Sequence, residues 1–126
     1  MCRWGLGWYP YFRMHARVFQ INEFPAEQIK QLNKTKTDNT ALPTEEYALL
    51  VKEFLKKYKD FGYSKSPCNV AGYTLHNLLL FMEMNGYRYH KMVASIWLEH
   101  EKLFHKSFGW KSSRRVFRLF DIYLNP

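Results

Sequence analysis

Three arginines, Arg114, Arg115 and Arg118, fall on one side of a helical projection, with Lys111 just ahead of them. Guanidinium groups spaced in this way offer paired N–H donors to phosphate oxygens, and a helix start beside them adds backbone N–H groups that favour anions. Residues 102–126 carry Lys102, Lys106, Lys111, Arg114, Arg115 and Arg118 against the single acid Asp121. An arginine run on a helix is more often a solvated face than a binding site, so the stripe needs a second signal beside it. Lys65, Ser66, Asn69 and Tyr73 supply one candidate: polar groups near the start of another helix, within reach of phosphates or base edges. Ser66 also has a competing role there as a helix cap.

Other chemistry has weaker support. His100, Glu101 and His105 resemble a zinc-protease helix, but the two histidines are five apart rather than the four that would put both ligands on one face. Glu99 and Asp121 stand as isolated acids, and His76 and His90 read as ordinary helix and loop residues. No Gly-rich phosphate loop, serine nucleophile elbow or paired-cysteine motif occurs, so neither an enzyme nor a metal or other cofactor is expected. Cys2 and Cys68 are far apart and match no disulfide or zinc spacing, which fits reduced thiols and a cytoplasmic location. The first residues lack the order of a signal peptide, and no apolar run approaches a membrane span. A net charge of +8 makes an anionic partner plausible, nucleic acid above all.

These residues need helices to position them. The chain has 126 residues, 47% of them hydrophobic and 18% aromatic, which suffices for one packed core. The stretch 62–87 carries both ends of a central helix: Ser66 as N-cap, Pro67 at the first helical position and Gly86 as the left-handed stop. Val70, Tyr73, Leu78, Phe81 and Met84 approximate a 3.6-residue repeat, widened by Leu75, Leu79 and Met82. Before it, Thr44 should cap a helix with an inner face of Tyr47, Leu50, Val51, Phe54, Leu55 and Tyr58, covered outside by Lys52, Lys56, Lys57 and Lys59 and ended by Gly62. A third helix is expected near 91–105, with Met92, Val93, Ile96, Trp97 and Leu103 on its apolar face. Gly109 interrupts, and a fourth helix runs from Ser112 or Ser113 to Leu124 with Val116, Leu119, Phe120 and Tyr123 inward.

Residues 1–43 differ from the rest. Residues 12–18 alternate as one half-buried β-strand would, without a convincing partner strand. This segment is either an arm laying Arg13 and Arg17 on phosphate or, the favoured reading, an extension packing Trp4, Trp8 and Phe12 on the bundle. A short helix over 26–33 points Ile29 and Leu32 inward, and the polar run 33–40 reads as a linker. The expectation is therefore an all-α, four-helix bundle-like domain over 44–126, preceded by an extension and linker over 1–43.

The order GYSKS, a helix ending LLLFMEMNGY, then WLEH, then WKSSRRVFRLFDIYL resembles the core-binding domain of tyrosine recombinases, the phage integrase and transposase family, over about 44–126. The resemblance implies a four-helix domain that clamps duplex DNA and brings its second and fourth helices to the major groove. By position it implies DNA contacts at Lys65, Ser66, Asn69 and Tyr73 on one helix and Lys111, Ser112, Ser113, Arg114, Arg115 and Arg118 on the other. The arginine, histidine and tyrosine constellation with which that family cuts DNA has no match here. The expectation is accordingly a DNA-binding chain without the catalytic domain, be it a truncated gene product, an excised fragment or a free-standing relative. Double-stranded DNA is the expected partner, with self-association on DNA or a protein partner in addition and no membrane. The rival reading is a small helical protein-interaction module, such as a phage-encoded inhibitor or adaptor, meeting an acidic protein surface.

Overall fold

The structure is a computed structural model that describes residues 19–104 and 109–126. Its fold is all-α. Among the described residues five helices follow in order: α1 (Ala26–Asn33), α2 (Thr44–Asp60), α3 (Lys65–Asn85), α4 (Lys91–Phe104) and α5 (Gly109–Leu124), with 3-10 turns at Ile21–Glu23 and Lys34–Lys36. The candidate strand over 12–18, and the packing expected of Trp4, Trp8 and Phe12, lie outside the described residues. Among those described, extended pairing is limited to a single bridge between Leu42 and Tyr89.

Helix α3 is central. It packs along both α2 and α5, which also touch each other, while α5 packs on α4 and α1 rests on α4. Ala71, Leu75, Leu78, Phe81 and Met82 of α3 are fully buried, so its apolar surface spreads beyond one stripe as a helix with several neighbours requires. Tyr47, Val51, Phe54, Leu55 and Tyr58 bury the inner face of α2. Phe120 locks α5 in place by meeting Tyr47, Phe54 and Tyr89 edge-on, at ring separations of 5.6, 5.3 and 5.6 Å. Met84 and Leu103, expected inside, are instead exposed in the last turns of α3 and α4.

Helix ends follow sequence, helix starts less so. Gly62 and Gly86 both take positive φ, 95° and 73°, and the Tyr87 N–H reaches back to the Met82 carbonyl at 2.9 Å. A Cβ at Gly86 would meet only the end of Lys36, at 3.9 Å, so Gly86→Ala isolates the backbone term. The substitution is expected to cost about 1 kcal/mol in chemical denaturation, with no cavity or clash component.

Three expected caps are corrected. Helix α2 starts at Thr44 itself, because Tyr47 donates its N–H to the Pro43 carbonyl; the Thr44 hydroxyl makes no cap bond. In α3 the Cys68 N–H closes on the Ser64 carbonyl, which puts Ser66 and Pro67 inside the first turn rather than at the cap and first position. Pro67 is still tolerated there, since the first four N–H groups of a helix have no internal acceptor. Helix α5 begins at Gly109, the residue expected to interrupt, and runs through Ser112 and Ser113.

The polar run 33–40 is not a free linker. The buried Thr35 hydroxyl donates to the Leu32 carbonyl at 2.7 Å and accepts the Arg88 N–H at 3.3 Å, while the Arg88 guanidinium reaches the Asp38 carbonyl at 3.4 Å. Leu42 and Tyr89 exchange backbone hydrogen bonds of 2.9 and 2.8 Å. Phe19, Phe24 and Leu32 then join the common core, with Phe19 5.7 Å from the Trp97 ring. Residues 19–43 are thus clasped to the turn between α3 and α4.

Candidate nucleic-acid interface

The start of α3 and the arginine side of α5 meet around Tyr63. This residue follows Gly62 in the bend after α2, and its ring stacks on Tyr58 with centroids 4.1 Å apart and planes 9° apart. The Arg115 guanidinium lies over the Tyr63 ring at 5.9 Å and opposes the upward push that burial gives the Tyr58 hydroxyl. Arg115 is itself exposed. Arg114 and Arg118 are exposed on the same helix, as is Lys111 in its first turn, and Ser112 is half-buried. On α3, Lys65 is exposed while Asn69 and Tyr73 follow at four-residue intervals and are partly covered. Ser66 sits in the first turn of that helix.

One expected contact residue is not on this surface. Ser113 is 2% exposed and its hydroxyl lies 3.0 Å from that of Thr74, inside the contact between α3 and α5. Its small polar side chain is used to join two helices, which removes it from any DNA-facing set.

Sequence reasoning missed Tyr63 and a row of lysines. Lys52, Lys56 and Lys59 of α2, read as outer-face residues, line a cleft of about 740 Å³ together with Lys65 and Asn69 of α3. Leu55, Tyr63 and Cys68 complete it, and among the described residues that line it there is no carboxylate. The Cys68 thiol is pushed up by burial, and the Lys59 ammonium opposes that shift. The four- and three-residue steps from Lys52 through Lys59 could have identified the row; the facing residues Lys65 and Asn69 could not be paired with it from spacing alone.

The remaining polar groups serve the fold. His100 is buried, its ring stacked on Phe24 at 4.0 Å and edge-on to Phe19 at 5.3 Å. Glu101 is 2% exposed, and burial pushes its carboxyl up to about 7 against a hydrogen bond from Ser113. His105 lies outside the described residues. His90 accepts the Met92 N–H on Nδ1 at 3.0 Å and so caps α4. Asp121, expected to stand alone, pairs with Lys91 at 3.5 Å. Among the described residues no group of three or more His, Cys, Asp or Glu is placed to hold a metal ion, and no helix is long and apolar enough to cross a membrane. Comparison with protein-family models, with curated proteins and with solved structures finds no match.

Proposed function

We propose that this chain binds duplex DNA as a helical domain of tyrosine-recombinase type, holding the duplex without cutting it. The observation that carries the reading is Arg115 over the Tyr63 ring, which sets the arginine side of α5 beside the start of α3. Two basic surfaces selected separately from the sequence thereby become neighbours. Arg114, Arg115, Arg118 and Lys111 would neutralise phosphates, and Lys65, Asn69 and Tyr73 would meet the same duplex from α3, with Asn69 suited to a base edge. Ser66 and Ser112 keep supporting places in the first turns of the two helices. At the Tyr63 ring itself a base has no open face to stack on, as it would in a single-strand binder, because Tyr58 and Arg115 already occupy that ring.

The test is fluorescence anisotropy of a labelled random duplex across a salt series. Binding whose logarithm falls steeply and linearly with log salt is expected, with a slope near 0.9 per phosphate engaged. A folded protein that leaves the duplex free at 50 mM salt would sink the proposal.

A second reading, the protein-interaction module, rests on a neighbouring cleft that shares Tyr58 and Tyr63 with the candidate interface. Phe61 and Ile122 are 83% and 56% exposed and line a cleft of about 460 Å³ with Leu119 and Tyr123. It would gain if duplex binding were absent and one discrete protein partner copurified.

A further inference from the structure

The cleft between α2 and the start of α3 is an unusual surface. Lys52, Lys56, Lys59 and Lys65 line it together with Leu55 and Cys68, and among the described residues that line it there is no carboxylate. Like charges gathered in this way repel one another until an anion arrives. On the other side of α2 one cation and one acid are already engaged: Lys57 lies 5.3 Å over the Tyr123 ring, and Glu53 accepts the Tyr123 hydroxyl at 2.9 Å. The row is therefore specific to the cleft side.

We infer that Lys52, Lys56 and Lys59 form a track for one phosphate strand of duplex DNA, extending the interface to α2. The inference rests on the duplex-binding reading. From Lys52 to Lys59 a helix rises about 10 Å, and successive phosphates of one strand, offset by about 3.4 Å along the axis and also turned about it, lie roughly 7 Å apart, so the row meets about two to three of them. Lys65 faces the row across the cleft and holds the strand from the other wall. Phosphate oxygens stay at the rim with the ammonium groups, and the less polar deoxyribose passes over Leu55 and Cys68. The track ends at Tyr63, where Arg115 begins the arginine side, so the two basic surfaces form one continuous path.

The experiment compares three proteins on the same labelled duplex and on a single strand of equal length, each across a salt series. They are the intact chain, the variant Lys52→Gln, Lys56→Gln, Lys59→Gln, and a control Lys30→Gln, Lys34→Gln, Lys36→Gln. Both variants lose three positive charges from exposed positions, so they differ in placement and not in net charge. The cleft variant is expected to bind duplex at least tenfold more weakly than the control at 0.1 M salt, with a log–log slope shallower by about two to three. Equal affinity and slope for the two variants, with the intact chain binding duplex, would overturn the α2 track and leave duplex binding standing. A loss confined to the single strand would equally overturn it. Absence of duplex binding by the intact chain would remove the underlying reading and this inference together.

Discussion

Replacing Arg114, Arg115 and Arg118 together by alanine is expected to weaken duplex binding by about 500-fold at 0.1 M salt. Each phosphate contact contributes a log–log slope of about 0.9, or about eightfold in affinity at that salt, and three contacts multiply. The salt slope should become shallower by about 2.7 in the same titration. All three side chains are exposed on a helix whose packing depends on Val116, Phe117 and Phe120, so the fold should survive. Taking the Arg115 guanidinium off the Tyr63 ring should itself cost about 0.5 to 1 kcal/mol of stability. A melting midpoint within a few degrees of the intact chain would verify this. A folded triple variant with unchanged slope would exclude the arginine side of α5 from the interface.

The largest effect on stability is expected at Glu101. Its carboxyl is raised from 4.5 to about 7 by burial, the hydrogen bond from Ser113 only partly countering the shift. The folded chain therefore holds this proton more tightly than the unfolded chain does. Its contribution to stability is complete below pH 4.5 and is lost as pH rises through 7, about 3 kcal/mol across the window. Glutamine has the shape of the protonated acid and cannot ionise. Glu101→Gln should thus match the intact chain near pH 4 and exceed it by about 3 kcal/mol at pH 8 to 9 in urea unfolding. Parallel stability profiles for the two proteins would mean that the carboxyl is not held protonated by burial.

The contrast between α2 and α5 shows what local pattern conveys. The inner face of α2 was legible because five buried residues, from Tyr47 to Tyr58, repeat at helical spacing, and Gly62 and Gly86 were legible because a left-handed stop selects glycine. Helix starts were misplaced because a serine suits both a cap and an interior contact; Ser113 is drawn inward by Thr74, which is 39 residues earlier in the chain. The anchors of the run 33–40 escaped notice because they are a threonine hydroxyl and backbone groups rather than apolar side chains. For the candidate interface, the arginines and Lys65 were readable one helix at a time. The ring that joins them was not, since Tyr63 and Arg115 come together only when α3 and α5 pack. Lys52, Lys56 and Lys59 had read only as the outer face of their helix for the same reason: the wall opposite them belongs to another helix.

The clasp between Thr35 and Arg88 joins residues 53 positions apart, and this separation sets an order of assembly. Closing so long a loop from an unfolded chain costs about 3.5 kcal/mol in entropy, more than the net gain from one hydrogen bond. Helices α2 and α3, linked only by residues 61–64, can pair first and shorten the loop that remains. The amino-terminal side of the clasp then docks on a turn already built, which makes it late to form and early to open. Proteolytic nicking and amide exchange would accordingly enter the molecule there, through a cooperative unit less stable than the helices it covers.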